Sequence, residues 1–347
     1  MLWNTPEVKQ LNSEKIRKEI QLSPKCTKSL VSRKTSLSVA TCNNIINDML
    51  KSGELLTVDR EDALMGRPAT RFEYNAEYHH VLGVAVHSGE KDYQEYAVGN
   101  ALGEPIDSGT LADREVTADE IVSLCREMTK KDKKIDTISV GIPGVATDGI
   151  VDLCDVKSLD GIPLEKMISD ACGGIETVVQ NDMDFISYGV YDNVGSRDRN
   201  LAVLMFPAEG DSYVGAGIVL NGKVLRGATH FSGELSYVAE AFGIDRKEML
   251  KIRQDRDRFL EYVGKIAVVI ISTIDPAEII LMGNGLKDSE IGVIRETAEK
   301  IVTAEHMPKI MTESNINAVY VNGLLRTGLN RLDFPISEPM YVETGIA

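Results

Sequence analysis

Uncharged hydrogen-bonding side chains are concentrated in one short stretch near the start of this 347-residue chain. They are Thr41, Asn43, Asn44 and Asn47. Amide and hydroxyl groups can donate to and accept from base edges in the major groove of DNA, where Asn pairs bidentately with adenine. The stretch therefore predicts a DNA-reading surface. A second interpretation stays open, namely the solvated face of a small helical hairpin that binds no nucleic acid.

Two short helices are predicted to position these side chains. Thr27 can cap the first helix, and Ser38 can cap the second, which ends at Gly53. Apolar residues recur at helical spacing along the second helix, and they are Cys42, Ile45, Ile46, Met49 and Leu50. The pattern predicts a helix-turn-helix whose second helix contacts DNA. The predicted contact set also includes the capping residues Thr27 and Ser38.

Flanking segments complete a winged head. Residues 12–22 predict a helix that precedes the other two, and residues 55–74 contain two strand-like runs around a charged loop. In that loop Arg67 stands between Gly66 and Pro68, and an extended Arg can enter a narrow minor groove of DNA. A plain connection between the wing and the next domain explains the same tripeptide equally well.

The distribution of charge fits a small DNA-contacting head on an acidic body. Residues 1–60 contain ten Lys and Arg against six Asp and Glu, a net charge of +4, and the rest of the chain carries −19. An acidic body repels phosphates, which excludes a protein that coats nucleic acid or membranes indiscriminately. Ordinary scatter of surface charge also produces a head balance of this size.

Length, cysteine usage and hydropathy bound the class of protein. A chain of this length predicts two or three domains. Its five cysteines are widely spaced and include no Cys-x-x-Cys pair, so neither a disulfide framework nor a zinc cluster is indicated. The first residues lack a signal-peptide pattern, and no apolar run approaches about 18 residues. We therefore expect a cytoplasmic protein that does not bind membranes.

Strand-like apolar runs alternate with amphipathic helices beyond residue 78. The runs at residues 81–86, 137–141, 177–180, 201–206 and 279–283 predict buried strands. Asn221 and Gly222 mark a hairpin turn between two further strands. This order predicts an α/β body with functional groups at the strand ends. Because two strand-rich halves follow one another, we expect a duplicated, two-lobed fold with a cleft.

Short motifs along the chain, taken in their order, resemble the ROK family (repressors, open reading frames and kinases). They are Gly66-Arg67-Pro68-Ala69, Gly141-Ile142-Pro143-Gly144, Gln180-Asn181-Asp182, Gly215-Ala216-Gly217, Gly233-Glu234-Leu235 and Asp275-Pro276. The resemblance implies an α/β fold in which an N-terminal winged helix-turn-helix precedes a two-lobed actin-like, sugar-kinase (ribonuclease H-like) ATPase fold. It places the winged head at residues 1–76, the first lobe at 77–186 and the second lobe at 187–347.

The resemblance also implies a sugar site. Asn181 and Asp182 match the family's Asn-Asp pair, which holds sugar hydroxyls, and Glu234 matches its sugar-binding Glu. Tyr237, or its neighbour Ser236, replaces a His that in the family serves both sugar and zinc. The family's zinc-binding Cys segment is missing after it. We therefore predict sugar binding at Asn181, Asp182, Glu234 and Tyr237, and no metal.

The phosphate-binding motifs of the family's kinases are altered in this chain. Ala85 stands where those kinases have an Asp, and Glu90 adds a carboxylate to the same turn. Residues 208–213 place two acids where glycines usually lie. A carboxylate beside a phosphate site repels the ligand, so we expect no ATP, no other cofactor and no kinase activity.

The resulting prediction is a DNA-binding transcriptional regulator of sugar metabolism, acting as a repressor, whose body senses a sugar or sugar phosphate. We expect it to bind a roughly palindromic operator as a homodimer or homotetramer. Two alternatives remain. One is an ATP-dependent sugar kinase with Asp182 as general base, and the other is a ligand-blind regulator whose body only dimerises.

Overall fold

A computed structural model describes residues 5–23, 25–61, 69–194, 199–207, 214–333 and 341–342. The head contains α1 (Thr5–Leu22), β1 (Cys26–Thr27), α2 (Lys28–Thr35), α3 (Val39–Ser52), β2 (Leu55–Glu61) and β3 (Ala69–Tyr74). The first lobe contains β4 (His80–His87), β5 (Tyr93–Gly99), β6 (Pro105–Leu111), α4 (Ala118–Lys131), β7 (Ile135–Ile142), β8 (Val145–Thr147), β9 (Ile150–Asp152), α5 (Leu164–Ala171), β10 (Glu176–Asn181) and α6 (Asp182–Val194). The remaining elements are β11 (Leu201–Phe206), β12 (Gly215–Leu220), β13 (Lys223–Leu225), α7 (Ser236–Ala241), α8 (Arg246–Gln254), α9 (Arg256–Ile274), β14 (Glu278–Gly283), α10 (Ile291–Glu299), β15 (Lys309–Glu313), α11 (Ile316–Asp333) and β16 (Tyr341–Val342).

The head is a helix-turn-helix with a wing. Thr27 caps α2, Ser38 caps α3, and α3 ends at Gly53 in the left-handed conformation, as the sequence predicts. The first helix begins at Thr5 rather than at residue 12. The wing strands β2 and β3 pair antiparallel, and β1 joins them. The tripeptide containing Arg67 lies outside the described residues.

Each lobe of the body is built on one mixed sheet, and the two sheets share one strand order. The first sheet runs β10-β7-β4-β5-β6, with β4, β5 and β6 antiparallel and β7 and β10 parallel to β4. The second runs β15-β14-β11-β12-β13, extended by β16, with the same pattern of directions. The repeated order confirms the predicted duplicated, actin-like body.

Helices α6 and α11 cross with their backbones in direct contact. A Cβ at Gly189 would lie 1.9 Å from the carbonyl oxygen of Val319, and a Cβ at Gly323 would lie 1.8 Å from that of Phe185. Such a contact leaves no room for any side chain at either glycine. The two helices therefore pack as one unit between the sheets.

The C-terminal helix returns to the first lobe. On α11, Leu324 packs against β4, since a Cβ at Gly83 would lie 2.9 Å from its Cβ. At Gly328 an added Cβ would lie 2.4 Å from Val81 on the same strand. Although α11 belongs in sequence to the proposed 187–347 segment, it packs on the first sheet. The three segment boundaries therefore stay proposals.

The head is packed directly onto the first lobe. Ala101 and Leu102, in the turn between β5 and β6, belong to the same apolar cluster as Phe72 and Tyr74 of the head. The Ala101 N–H donates to the carbonyl of Ala76 at 2.8 Å. The sequence contains no pattern that predicts this contact, because the turn is far from the head along the chain.

Substituting Gly323 tests the crossing of α6 and α11. We expect Gly323→Ala to lower the unfolding free energy by about 1–3 kcal/mol, because the new methyl group forces the helices apart. The matched control is Gly292→Ala in α10, where an added Cβ meets no atom within 4 Å. That variant is expected to be neutral or more stable by up to about 1 kcal/mol. Urea denaturation measures both, and equal midpoints would contradict the predicted crossing.

Candidate functional site

Three of the predicted DNA-contacting residues form hydrogen bonds at helix N-termini; they are Thr27, Ser38 and Thr41. The Ser38 hydroxyl accepts the N–H of Thr41 at 3.1 Å and lies 2.8 Å from the Thr41 hydroxyl. Thr27 is 8% exposed, and its hydroxyl accepts the N–H of Leu30 at 3.3 Å. These side chains fix where α2 and α3 begin, so a contribution to DNA binding has to coexist with capping.

The asparagines of α3 lie away from its apolar side. Asn44 and Asn47 are exposed and Asn43 is half-buried. The ammonium of Lys28, on α2, donates to the amide oxygen of Asn47 at 2.6 Å. That contact fixes the amide plane and brings a cation to the polar face, which the sequence pattern did not identify. The arrangement leaves amide groups and a positive charge on one exposed surface, as DNA recognition requires.

A groove of about 580 Å³ separates α1 from α3. Thr41 and Asn44 line its α3 wall, and Lys9 of α1 forms an ion pair with Asp48 of α3 across it, with N···O at 2.9 Å. Both charged side chains are more than half exposed. Sequence reasoning missed the participation of α1, because spacing within one helix carries no information about its neighbour.

The predicted sugar site lies where β10 ends and α6 begins. The Asn181 amide donates to the carbonyl of Gly144 at 2.9 Å, and its oxygen accepts the N–H of Met183 at 2.7 Å. Asp182 accepts the same N–H at 2.7 Å. Asn181 therefore holds the turn after β7 against the start of α6, and Asp182 is fixed in orientation beside it.

Four carboxylates converge around this helix start. Burial raises the pKa of Asp182 to about 7, the N–H of Met183 opposes the shift, and the charges of Glu234, Asp155 and Asp184 add to it. Burial, followed by the charge of Asp155, also raises the pKa of Glu234. The structure thus brings Asp182 and Glu234 close enough for their charges to interact, although they are far apart in sequence.

Two of these acids were not predicted from the sequence. Asp155 is held by its N–H, which donates to the carbonyl of Pro143 at 2.9 Å. Asp184 faces Arg226, whose Nε lies 3.1 Å from a carboxylate oxygen, and both side chains are mostly buried. Burial raises the pKa of Asp184 to about 6 although Arg226 opposes the shift. No motif marks these residues, so only their proximity in the fold identifies them.

The fourth predicted sugar residue, Tyr237, lies at the edge of this region. Its N–H donates to the carbonyl of Glu234 at 3.4 Å, and its side chain is 53% exposed. The ring packs on Phe231 with centroids 5.0 Å apart. Tyr237 therefore offers an aromatic face to solvent next to the carboxylates.

The turn between β4 and β5 occupies the place of the family's first phosphate hairpin. There the Gly89 N–H donates to the carboxylate of Asp92 at 3.3 Å. Ala85, where the kinases have an Asp, is buried in an apolar cluster with Tyr320. An amide that could bind phosphate is thus occupied by a carboxylate. The second altered phosphate stretch, residues 208–213, lies outside the described residues.

Among the described residues, no helix combines the length and the apolar character that crossing a membrane demands.

The raised pKa of Asp182 predicts how stability depends on pH. Because its pKa of about 7 in the folded protein exceeds the ordinary value near 4, the folded state binds the proton more tightly than the unfolded chain. The unfolding free energy therefore falls as the pH rises from about 4 to about 7. We expect Asp182→Asn to stabilise the protein at pH 8, by on the order of 2 kcal/mol, and to change little at pH 4.

Asp184→Asn is the matched comparison for this pH test. It takes away the carboxylate that faces the buried guanidinium of Arg226, so we expect a loss of about 3–5 kcal/mol at pH 8. Thermal unfolding of the wild type and both variants between pH 4 and pH 8 measures the difference. Parallel curves for Asp182→Asn and the wild type would show that Asp182 does not titrate in this range.

Comparison with known proteins finds a family match over part of the chain and two similar repressors. Residues 92–244 match the ROK family. The chain is 24% identical over 255 residues to a putative xylose repressor of Caldicellulosiruptor sp. strain Rt8B.4, covering 70% of this chain and 62% of that protein, which is less than two thirds of its length. It is 22% identical over 329 residues to the xylose repressor of Staphylococcus xylosus, covering 90% and 82%.

A solved structure shares the complete architecture. The crystal structure of a ROK family transcriptional regulator, a homologue of the E. coli MLC protein, superimposes with a TM-score of 0.69 at 16% identity. The superposition covers 94% of this chain and 98% of the other. The common fold therefore includes the head as well as both lobes. This chain therefore matches the ROK family over residues 92–244 and shares its overall fold with a solved regulator of that family.

Proposed function

We propose that the protein is a DNA-binding transcriptional repressor whose body responds to a neutral sugar. The observation that carries the proposal is a helix-turn-helix head that packs, through Ala101 and Leu102, directly on a body in which several carboxylates lie together. The names of the two xylose repressors and of the structurally similar regulator support the same function. They make xylose the first sugar to test.

The charges in the cleft favour a neutral sugar over a sugar phosphate. Beyond the effect of burial, the charges of Glu234 and Asp155 raise the pKa of Asp182, and the charge of Asp155 raises the pKa of Glu234. Arg226 already faces Asp184. Sugar hydroxyls can donate hydrogen bonds to carboxylates, whereas a phosphate group would be repelled by them. Buried acceptors that need such donors also discriminate strongly against ligands that lack them.

The altered first phosphate hairpin supports a body without kinase activity. The carboxylate of Asp92 occupies the Gly89 amide, and Ala85 replaces the metal-placing Asp. A single observation favours the alternative, an ATP-dependent sugar kinase: a carboxyl group with a pKa of about 7, such as Asp182, is suited to general base catalysis at neutral pH. Transfer of phosphate from ATP to a sugar, lost in Asp182→Asn, would establish that alternative.

Assembly as a homodimer or homotetramer would provide two heads for a roughly palindromic operator. A sugar that closes the cleft would move one lobe relative to the other, and the head would follow the first lobe. Such a movement changes operator affinity only if the sugar binds one head spacing better than the other. Operator DNA and the sugar are therefore linked through one conformational equilibrium.

The first test measures ligand and operator binding together. The operator is selected from a random duplex library, and its affinity is measured by fluorescence anisotropy with xylose, glucose, glucose 6-phosphate or ATP with magnesium. We expect a neutral sugar to raise the melting temperature and to weaken operator binding about tenfold or more. ATP should leave both unchanged. Operator binding that no sugar alters would instead favour the ligand-blind regulator.

Substitutions in α3 test the head separately. We expect Asn43→Ala and Asn44→Ala each to weaken binding of the selected operator by about 1–3 kcal/mol, since each removes a group that can read a base edge. The control is a random-sequence duplex of the same length, on which the affinity should stay unchanged. An equal loss on both duplexes would indicate that these amides contact the backbone or only stabilise the helix.

A further inference from the structure

Two exposed aromatic rings stand beside the proposed sugar site. Phe231 is 38% exposed and Tyr237 is 53% exposed, and their ring centroids lie 5.0 Å apart with planes tilted by 52°. They lie three positions before and three positions after Glu234. Large apolar surfaces held in water beside a polar cleft mark a place where another molecule binds. The site predicted from the sequence includes Tyr237 but not Phe231.

The backbone holds Phe231 in place at a conformational cost. His230 has φ of +57°, a value that non-glycine residues adopt rarely, and its ring Nδ1 lies 2.8 Å from the carbonyl oxygen of Ala146 in the first lobe. Gly233 has φ of +94°, and a Cβ there would lie 1.9 Å from the carbonyl oxygen of Ala216. The segment is therefore fixed at both ends, and Phe231 cannot fold back into the core without releasing these contacts.

On the first lobe, Leu153 is a second exposed apolar side chain in a segment with an unusual backbone conformation. Leu153 has φ of +49° and is 57% exposed, two positions before Asp155. Both apolar side chains thus stand close in sequence to a carboxylate of the cleft, and each is held out by an unusual local backbone conformation. Strain of this kind is typical of ligand-binding segments.

We propose that Phe231 and Tyr237 form a stacking platform for a second sugar ring, so that the effector is a disaccharide or short oligosaccharide. This inference rests on the proposed sugar site and names the ligand class for it. One ring of the ligand reaches Asp182 and Glu234, whose carboxylates accept its hydroxyls. The next ring lies on the aromatic pair, since the negative face of an aromatic ring attracts the weakly positive C–H groups of a sugar.

Calorimetric titration of the full-length protein with matched mono- and disaccharides tests the platform. The probes are xylose with xylobiose, and glucose with cellobiose, maltose and sucrose. We expect at least one disaccharide to bind about fivefold to tenfold more tightly than its constituent monosaccharide, in line with one aromatic stacking contact. Phe231→Ala should remove that preference and leave the affinity for the monosaccharide unchanged, while Phe231→Tyr should keep it.

The matched control is Phe242→Ala. Phe242 is also an exposed aromatic residue, 66% accessible, at the far end of α7 from Tyr237. Its removal should leave the preference for the disaccharide intact. Thermal unfolding verifies that both variants fold, since Phe231 is 38% exposed and Phe242 66%.

Three other outcomes would overturn the platform, and they can be told apart. Equal affinities for monosaccharide and disaccharide, or a preference that survives Phe231→Ala, would overturn the platform and leave the proposed sugar sensor standing. Failure of every sugar to bind would overturn both. If Phe231→Ala changes the molar mass of the sugar-free protein in light scattering, the aromatic pair joins two copies of this chain and the platform is wrong.

Discussion

The direct contact between the backbones of α6 and α11 is the constraint on which the rest of the structure depends. Gly189 and Gly323 allow it, because any side chain at either position would meet a carbonyl oxygen of the other helix. Helix α6 begins with Asp182 in the cleft, and α11 packs on the first sheet through Leu324. Asp182 therefore starts a helix that is packed, through α11, against the first sheet.

The charges around the start of α6 suit hydroxyl groups and disfavour phosphate groups. Burial raises the pKa values of Asp182 and Glu234, and Arg226 faces Asp184. On the side of the altered hairpin, Asp92 adds to the raised pKa of Asp155, after the effect of burial. The charges of these carboxylates disfavour a bound phosphate group, whereas their oxygens can accept hydrogen bonds from a polyol.

Local patterns in the sequence predicted local structure well. Capping by Thr27 and Ser38 and the hairpin at Asn221 and Gly222 follow from signals within a few residues. The membership of Asp155 in the cleft depends on contacts between distant segments. The same holds for the return of α11 to the first sheet and for the burial of Ala101 in the head. Spacing within one element carries no information about such partners.

The turn containing Ala101 gives the head an unusual dependence on the body. Ala101 is 1% exposed within a cluster that contains Phe72 and Tyr74, so part of the head's apolar core is supplied by the first lobe. The apolar core of the head is consequently incomplete without the first lobe. Recombination that joined it to another body would uncover that cluster unless the new body carried an equivalent turn. In this chain, a substitution in the turn at Ala101 therefore affects the packing of the head as well as that of the body.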